Sequence, residues 1–156
     1  MVWITLIEEL PSEKTVESCE MSGEMNLSRL LATMSPTLQD GTYVFVTLSD
    51  QNAPANIPTP RMAFQEAEGT TLILLKTQAE AAGLDFEFPS RMITLNVHSA
   101  LDAVGFLAHI TTRLAALGMG VNPVAGFYHD HLFIPEDRAN DAMSELNRII
   151  SEAQNE

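Results

Sequence analysis

Only one cysteine, Cys19, occurs in the 156 residues of this chain. An intrachain disulfide is therefore excluded, and a reducing cytoplasm is the expected location. Basic residues are also scarce: 8 Lys plus Arg stand against 21 Asp plus Glu, for a formal net charge of −13. Such a surface repels phosphate backbones and anionic lipid, and the basic residues are scattered, so no nucleic-acid partner and no membrane partner is expected. Aromatic residues make up 6% of the chain. Without basic neighbours, Trp3 and the phenylalanines form no stacking surface for bases. No apolar run approaches the roughly 20 residues that span a bilayer. The first residues lack a basic segment and reach Glu8 quickly, so no signal peptide is expected. Phosphate-binding glycine loops, nucleophile elbows and HExxH motifs are missing too.

What is present is enough for a folded core. The chain is 46% hydrophobic and 19% charged, which excludes wholesale disorder and fits one domain or two small ones. Residues 1–24 hold six Glu and one Lys, a net of −5. A short strand over Val2–Ile7 precedes the polar, acidic run Pro11–Glu24, and translation starting at Met21 or Met25 is an alternative reading of the same segment. Residues 1–25 are accordingly set apart as an N-terminal extension.

Regular patterning begins at Asn26. Leu27, Leu30, Leu31 and Met34 keep helical spacing up to Ser35-Pro36. Thr42–Leu48 is a β-type run, and Ser49–Pro60 is a proline-containing loop. Met62–Glu68 and Thr70–Leu75 predict a hairpin, Thr77–Ala82 a short helix ending at Gly83, Asp85–Phe88 a brief strand cut by Pro89, and Met92–His98 a stronger one. Ser99-Ala-Leu-Asp102 has the form of a capping box opening a helix, with Leu107, Ile110, Leu114 and Leu117 as its apolar face. Val121–Phe127 and His131–Ile134 predict strands joined by a tight Tyr128-His129-Asp130 turn. Pro135 opens a final helix with an apolar stripe of Ala139, Ala142, Met143, Leu146 and Ile150.

Residues 26–90 and 91–156 thus each spell most of a split β-α-β unit, and each falls one strand short. The expected fold is α/β (α+β): two tandem ferredoxin-like units with antiparallel sheets and helices on one face, each completing the other.

The stretch Met92-Ile-Thr-Leu-Asn-Val-His-Ser-Ala-Leu-Asp-Ala-Val-Gly105, running into the helix and then to Asn122, resembles the opening of an ACT domain. Asn122-Pro-Val-Ala-Gly-Phe-Tyr-His-Asp-His-Leu-Phe-Ile-Pro135 and Phe64-Gln-Glu-Ala-Glu-Gly-Thr-Thr-Leu-Ile-Leu74 resemble a bacterial group of tandem ACT proteins of formerly unknown function. Val104 departs from the Pro that many ACT domains carry before the glycine. The resemblance implies small-molecule binding, commonly of amino acids, at paired units that regulate something else.

The chemistry of the residues gives that implication a place. A helix N-terminus over Ser99–Phe106 offers free amides to a carboxylate, and Gly105 allows close approach. An ammonium group would find acceptors in Asp130 or the edge of Asn122–Ala125, which Pro123 marks as an edge strand. The candidate ligand-binding residues are Ser99, Ala100, Leu101, Asp102, Val104, Gly105, Phe106, Asn122, Val124, Ala125 and Asp130. For Asp102 a capping role, and for Asn122 satisfaction of its own strand end, compete with ligand contact. His98, His129 and His131 are the weaker alternative, a metal or hydrolytic edge shared with Asp130. Should Glu66 and Glu68 face the second unit, they would receive a cationic ligand side chain. The reading is a non-enzymatic sensor or regulator with no cofactor, assembled as a homodimer through its sheet edges. A ligand-free interaction module is the third alternative, marked by an apolar patch in place of a pocket.

Overall fold

The computed structural model describes residues 23–49 and 57–155. The strand over Val2–Ile7, Cys19, the start at Met21 and most of the Ser49–Pro60 loop lie outside them.

The sequence patterns fold into α1 (Leu27–Thr33), β1 (Thr37–Leu38), β2 (Tyr43–Leu48), β3 (Met62–Gln65), β4 (Thr70–Leu75), α2 (Lys76–Ala81), β5 (Glu87–Thr94), α3 (Phe106–Ala116), β6 (Asn122–Ala125), β7 (Asp130–Pro135) and α4 (Ala139–Ala153). Asn26 caps α1 by accepting a hydrogen bond from the Arg29 amide at 2.9 Å. Pro135 leads into a 3-10 turn, Glu136–Arg138, and so into α4.

All strands join one antiparallel sheet in the order β3-β4-β2-β5-β7-β6, with β1 added beside β5. The order explains how two incomplete units satisfy each other. For the first half, β2-β3-β4-β5 gives the ferredoxin-like arrangement with β5 as the closing strand. For the second half, β5 is the opening strand, and β2 fills the position that a fourth strand would take. One strand therefore serves both halves, and the boundary expected between residues 90 and 91 falls inside it.

Sharing β5 corrects the expectation of two strands separated by Pro89. The ladder runs through Glu87–Thr94, and Pro89 sits where the β2–β5 register shifts between Tyr43↔Ser90 and Phe45↔Glu87. A proline that cannot donate is tolerated at such an irregularity. The far end is also shorter than expected. The ladder stops at Thr94, and Asn96 turns the chain at φ +44° while its side-chain amide donates to the Ser35 carbonyl and the Thr37 hydroxyl, each at 2.8 Å. Asparagine accepts this left-handed geometry more readily than most residues.

Helices α1, α3 and α4 enclose the larger core: Leu30, Leu31 and Met34 meet Ile93, Leu95, Ile110, Leu114, Leu132, Ile134, Leu146 and Ile149. The smaller core lies under α2 and contains Val44, Val46, Leu48, Leu72, Leu74 and Ala79. On α3 the buried positions are Phe106, Ile110 and Leu114, so the apolar face begins one residue earlier than the Leu107 expectation, and Leu117 is exposed. On α4, Ile149 occupies the fully buried position while Met143 and Ile150 pack at the margin. Glu145 also lies on the buried side of α4, held by Arg113 of α3 at 2.7 Å and by Arg148 at 2.8 Å.

Candidate functional site

Helix α3 starts later than its sequence suggests. Residues 99–105 form a turn, and the N-cap is Gly105 at φ +92°. A side chain at Gly105 would have ordinary room beside Leu27, so the requirement for glycine is its backbone angle. The capping box expected at Ser99 and Asp102 is absent. Asp102 is exposed in the turn, and the Ser99 hydroxyl instead donates to Asp130 Oδ2 at 2.9 Å.

This hydrogen bond ties the turn to β7. Asp130 is the first residue of β7, paired with Ala125 of the edge strand β6, and only 5% exposed. Its carbonyl accepts the Leu95 amide at 2.9 Å, which holds the end of β7 against the chain leaving β5. Gly23 and Glu24 brace the turn from the other side. Glu24 donates its amide to the His98 carbonyl at 2.8 Å and accepts that of Ala100 at 3.0 Å. A side-chain carbon at Gly23 would stand 2.5 Å from the Ala100 nitrogen, so the approach leaves room only for hydrogen.

Between these elements lies a pocket of about 150 Å³, lined by Ser99, Ala100, Leu101, Ala103, Gly105, Phe106, Leu107, Ala108, Ala125 and Asp130. Phe106, Leu107 and Ala108 belong to the first turn of α3, whose amides have no partner in the helical ladder. Gly105 has no side chain to cap this helix end, and no capping hydrogen bond is made there among the described residues. The Asp130 carboxylate is in no ion pair among the described residues. A carboxylate withdrawn from water needs donors or a cation. The pocket thus sets a buried acceptor against uncapped amide donors.

Seven of the sequence-selected residues, Ser99, Ala100, Leu101, Gly105, Phe106, Ala125 and Asp130, line this pocket. Asp102 and Val104 do not; Val104 is 85% exposed. Asn122 is exposed at the far end of β6, and Val124 packs on the opposite sheet face against the cluster of Tyr43, Ile73, Met92 and Phe133. Ala103, Leu107 and Ala108 line the pocket without having been selected. Alanine and leucine announce no chemistry, and the resemblance of Ser99–Asp102 to a capping box masks a helix start at Phe106.

The histidines separate. His131 Nδ1 lies 3.0 Å from Thr94 Oγ1, His129 Nδ1 lies 3.4 Å from the Val97 carbonyl, and the His98 ring rests against Tyr128 at 5.5 Å. Among the described residues no group of three His, Cys, Asp or Glu side chains is placed to hold a metal. The shared histidine edge is corrected accordingly: alternation along β7 puts Asp130 and His131 on opposite faces. Burial, followed by the nearby His129, holds the His131 pKa below its ordinary value, and Arg61 adds to this while Asp130 opposes it. Glu66 and Glu68 also stand apart, exposed on the β3–β4 turn at the other edge of the sheet. A second groove, about 420 Å³, lies between Phe45, Thr47, Thr71, Phe86, Asp85 and Glu87, but both of its carboxylates are exposed.

Comparison with known proteins matches this architecture to one family twice. ACT-domain models match residues 22–91 and 87–148, overlapping inside the shared strand β5. A Vibrio cholerae protein of unknown function, described as a possible transport protein, is 38% identical in sequence, with a TM-score of 0.69 over 80% of this chain and 95% of that one. The chain belongs to the ACT-domain family. Its two ACT units stand in tandem, and ACT domains are ligand-binding regulatory modules, not catalytic ones. Agrobacterium tumefaciens protein Atu0741 shares the fold at 16% identity, with a TM-score of 0.62 over 75% of this chain and 89% of that one. The regulatory subunit of aspartate kinase from Thermus thermophilus, in ligand-free form, does so at 12% identity, with a TM-score of 0.58 over 76% and 97%. No curated protein matches the chain. Among the described residues, no helix is long and apolar enough to cross a membrane.

Proposed function

We propose that this tandem ACT protein is a non-enzymatic, cytoplasmic sensor whose ligand is an α-amino acid bound in the Ser99–Asp130 pocket. The observation that carries the reading is the buried Asp130 carboxylate, which among the described residues has a hydroxyl partner but no cationic one. An α-ammonium group supplies that cation, while the uncapped amides of α3 receive the α-carboxylate. The ligand joins the turn before α3 to the β6–β7 edge, so binding stabilises one arrangement of these elements for a partner to read. In the described residues β6 and β3 each pair on one side only, which supports a homodimer formed through sheet edges.

The test is calorimetric titration of the full chain with the twenty amino acids, with a thermal-shift series in parallel. At least one amino acid is expected to bind, and Asp130→Asn is expected to weaken it about 10- to 100-fold, the scale of a charge-assisted hydrogen bond. Absence of heat and of thermal shift for all twenty would remove the reading. Sedimentation showing a monomer at micromolar concentration would remove the dimer.

A further inference from the structure

We infer that the pocket selects small, neutral amino acids, with glycine, alanine and serine as the favoured class. This inference rests on the amino-acid reading above and adds the side-chain preference.

Size is the first argument. The pocket holds about 150 Å³. A cavity of about that volume accommodates benzene, and alanine has as many non-hydrogen atoms as benzene. Sites for drug-sized ligands begin at about 300 Å³. Ala100, Ala103, Ala108 and Ala125 contribute no side chain longer than a methyl group to the lining. The floor cannot retreat: Phe106 is 2% exposed and packed into the larger core.

Charge is the second. Among the described residues, Asp130 is the one ionisable side chain lining the pocket. Once it holds the α-ammonium group, a ligand side chain bearing a second positive charge finds no counter-ion among the described lining residues. An acidic side chain meets the Asp130 carboxylate with no basic residue beside it among the described lining residues. The Ser99 hydroxyl, bound to Asp130, leaves a polar group near enough for serine to be accommodated as well as alanine.

The experiment is competitive calorimetry on the full chain with glycine, alanine, serine, phenylalanine, glutamate and lysine. Alanine or its two small companions should bind at least tenfold more tightly than the large or charged three. In Ala108→Leu, an exposed position in the first turn of α3, alanine binding should fall at least tenfold while the melting temperature holds. In Leu101→Ala, a 67% exposed position at the pocket mouth, the penalty on larger side chains should shrink. Phenylalanine, glutamate or lysine binding as tightly as alanine would overturn the size and charge selection alone. Silence from every amino acid would overturn the amino-acid reading itself and this inference with it.

Discussion

The two hairpins at opposite edges of the sheet share one geometry and carry different chemistry. In each, a four-residue connection joins the strands: Gln65 pairs with Thr70, and Ala125 with Asp130. Each connection closes with the same backbone hydrogen bond, Glu66 amide to Gly69 carbonyl at 2.8 Å and Gly126 amide to His129 carbonyl at 3.0 Å. Yet Thr70 bonds within its own hairpin, donating to Gln65 Oε1 at 2.9 Å, while Asp130 accepts a hydrogen bond from Ser99, well outside its hairpin. The first turn is acidic and exposed; the second exposes Phe127 and Tyr128 and buries a carboxylate. The repeat therefore supplies two equal scaffolds, and the residue at the strand start ties only the second to a distant turn.

The surrounding cores differ in the same sense. Among the described residues, three helices pack behind β5 and β7, whereas α2 is the one helix over the smaller cluster on β2 and β4. Leu72 and Leu132 occupy equivalent positions on β4 and β7, at 4% and 0% exposure. Leu132→Ala is expected to cost about 3–5 kcal/mol and Leu72→Ala about 2–3 kcal/mol in urea unfolding, because the lightly covered side can relax into its cavity. Equal losses would erase the distinction between the two cores.

A sharper test exchanges the chemistry and keeps the scaffold. Asp130→Thr makes the second hairpin resemble the first, and should remove about 1.5–3 kcal/mol of ligand binding with little change in folding temperature. The reciprocal Thr70→Asp should create no ligand affinity, since no uncapped helix end stands opposite Thr70 among the described residues. Calorimetry on both variants checks the pair.

Arg113 contributes to the second half in another way. It links α3 to α4 through Glu145, which is 6% exposed, and through Glu152 at 2.7 Å. Arg113→Ala leaves Glu145 with Arg148 as its remaining partner and is expected to destabilise by about 1–3 kcal/mol in denaturant unfolding. The same pairing, chiefly the Arg113 hydrogen bond, lowers the Glu152 pKa, so its contribution is present above the ordinary carboxylate range and is lost as pH falls below that range through the lowered folded value.

The smallest expected effect belongs to His131. With its pKa lowered in the fold, the unfolded chain takes up a proton first as pH drops below about 6.5, the ordinary histidine value. Stability should therefore decline as pH falls from that point and level off once the folded protein is also protonated. His131→Gln should flatten this part of the melting-temperature profile, and an unchanged profile would show that the half-buried ring is too well solvated to matter.

Much of the architecture was legible in the residues. Apolar spacing located α1, both hairpins and α4, and Pro123 marked β6 as an edge, as the sheet order bears out. The resemblance of Met92–Gly118 and Asn122–Pro135 to ACT sequences identified the family. The errors share one physical cause, which is that local pattern does not know its tertiary partner. Pro89 read as a break because its place at a register shift between β2 and β5 is a property of two distant segments. Ser99 and Asp102 read as a capping box because nothing nearby reveals that Ser99 bonds to Asp130, 31 residues away.

The sequence by itself determined the apolar periodicities, the turn residues, the acidic surface and the tandem family, all of which depend on side chains close together along the chain. Tertiary structure alone decided that one strand serves both halves, that α3 begins at Phe106, that Asp130 is buried and that the histidines separate. Those outcomes depend on which backbone edges find each other and which side chains lose water, and both are set by contacts between segments far apart in the chain.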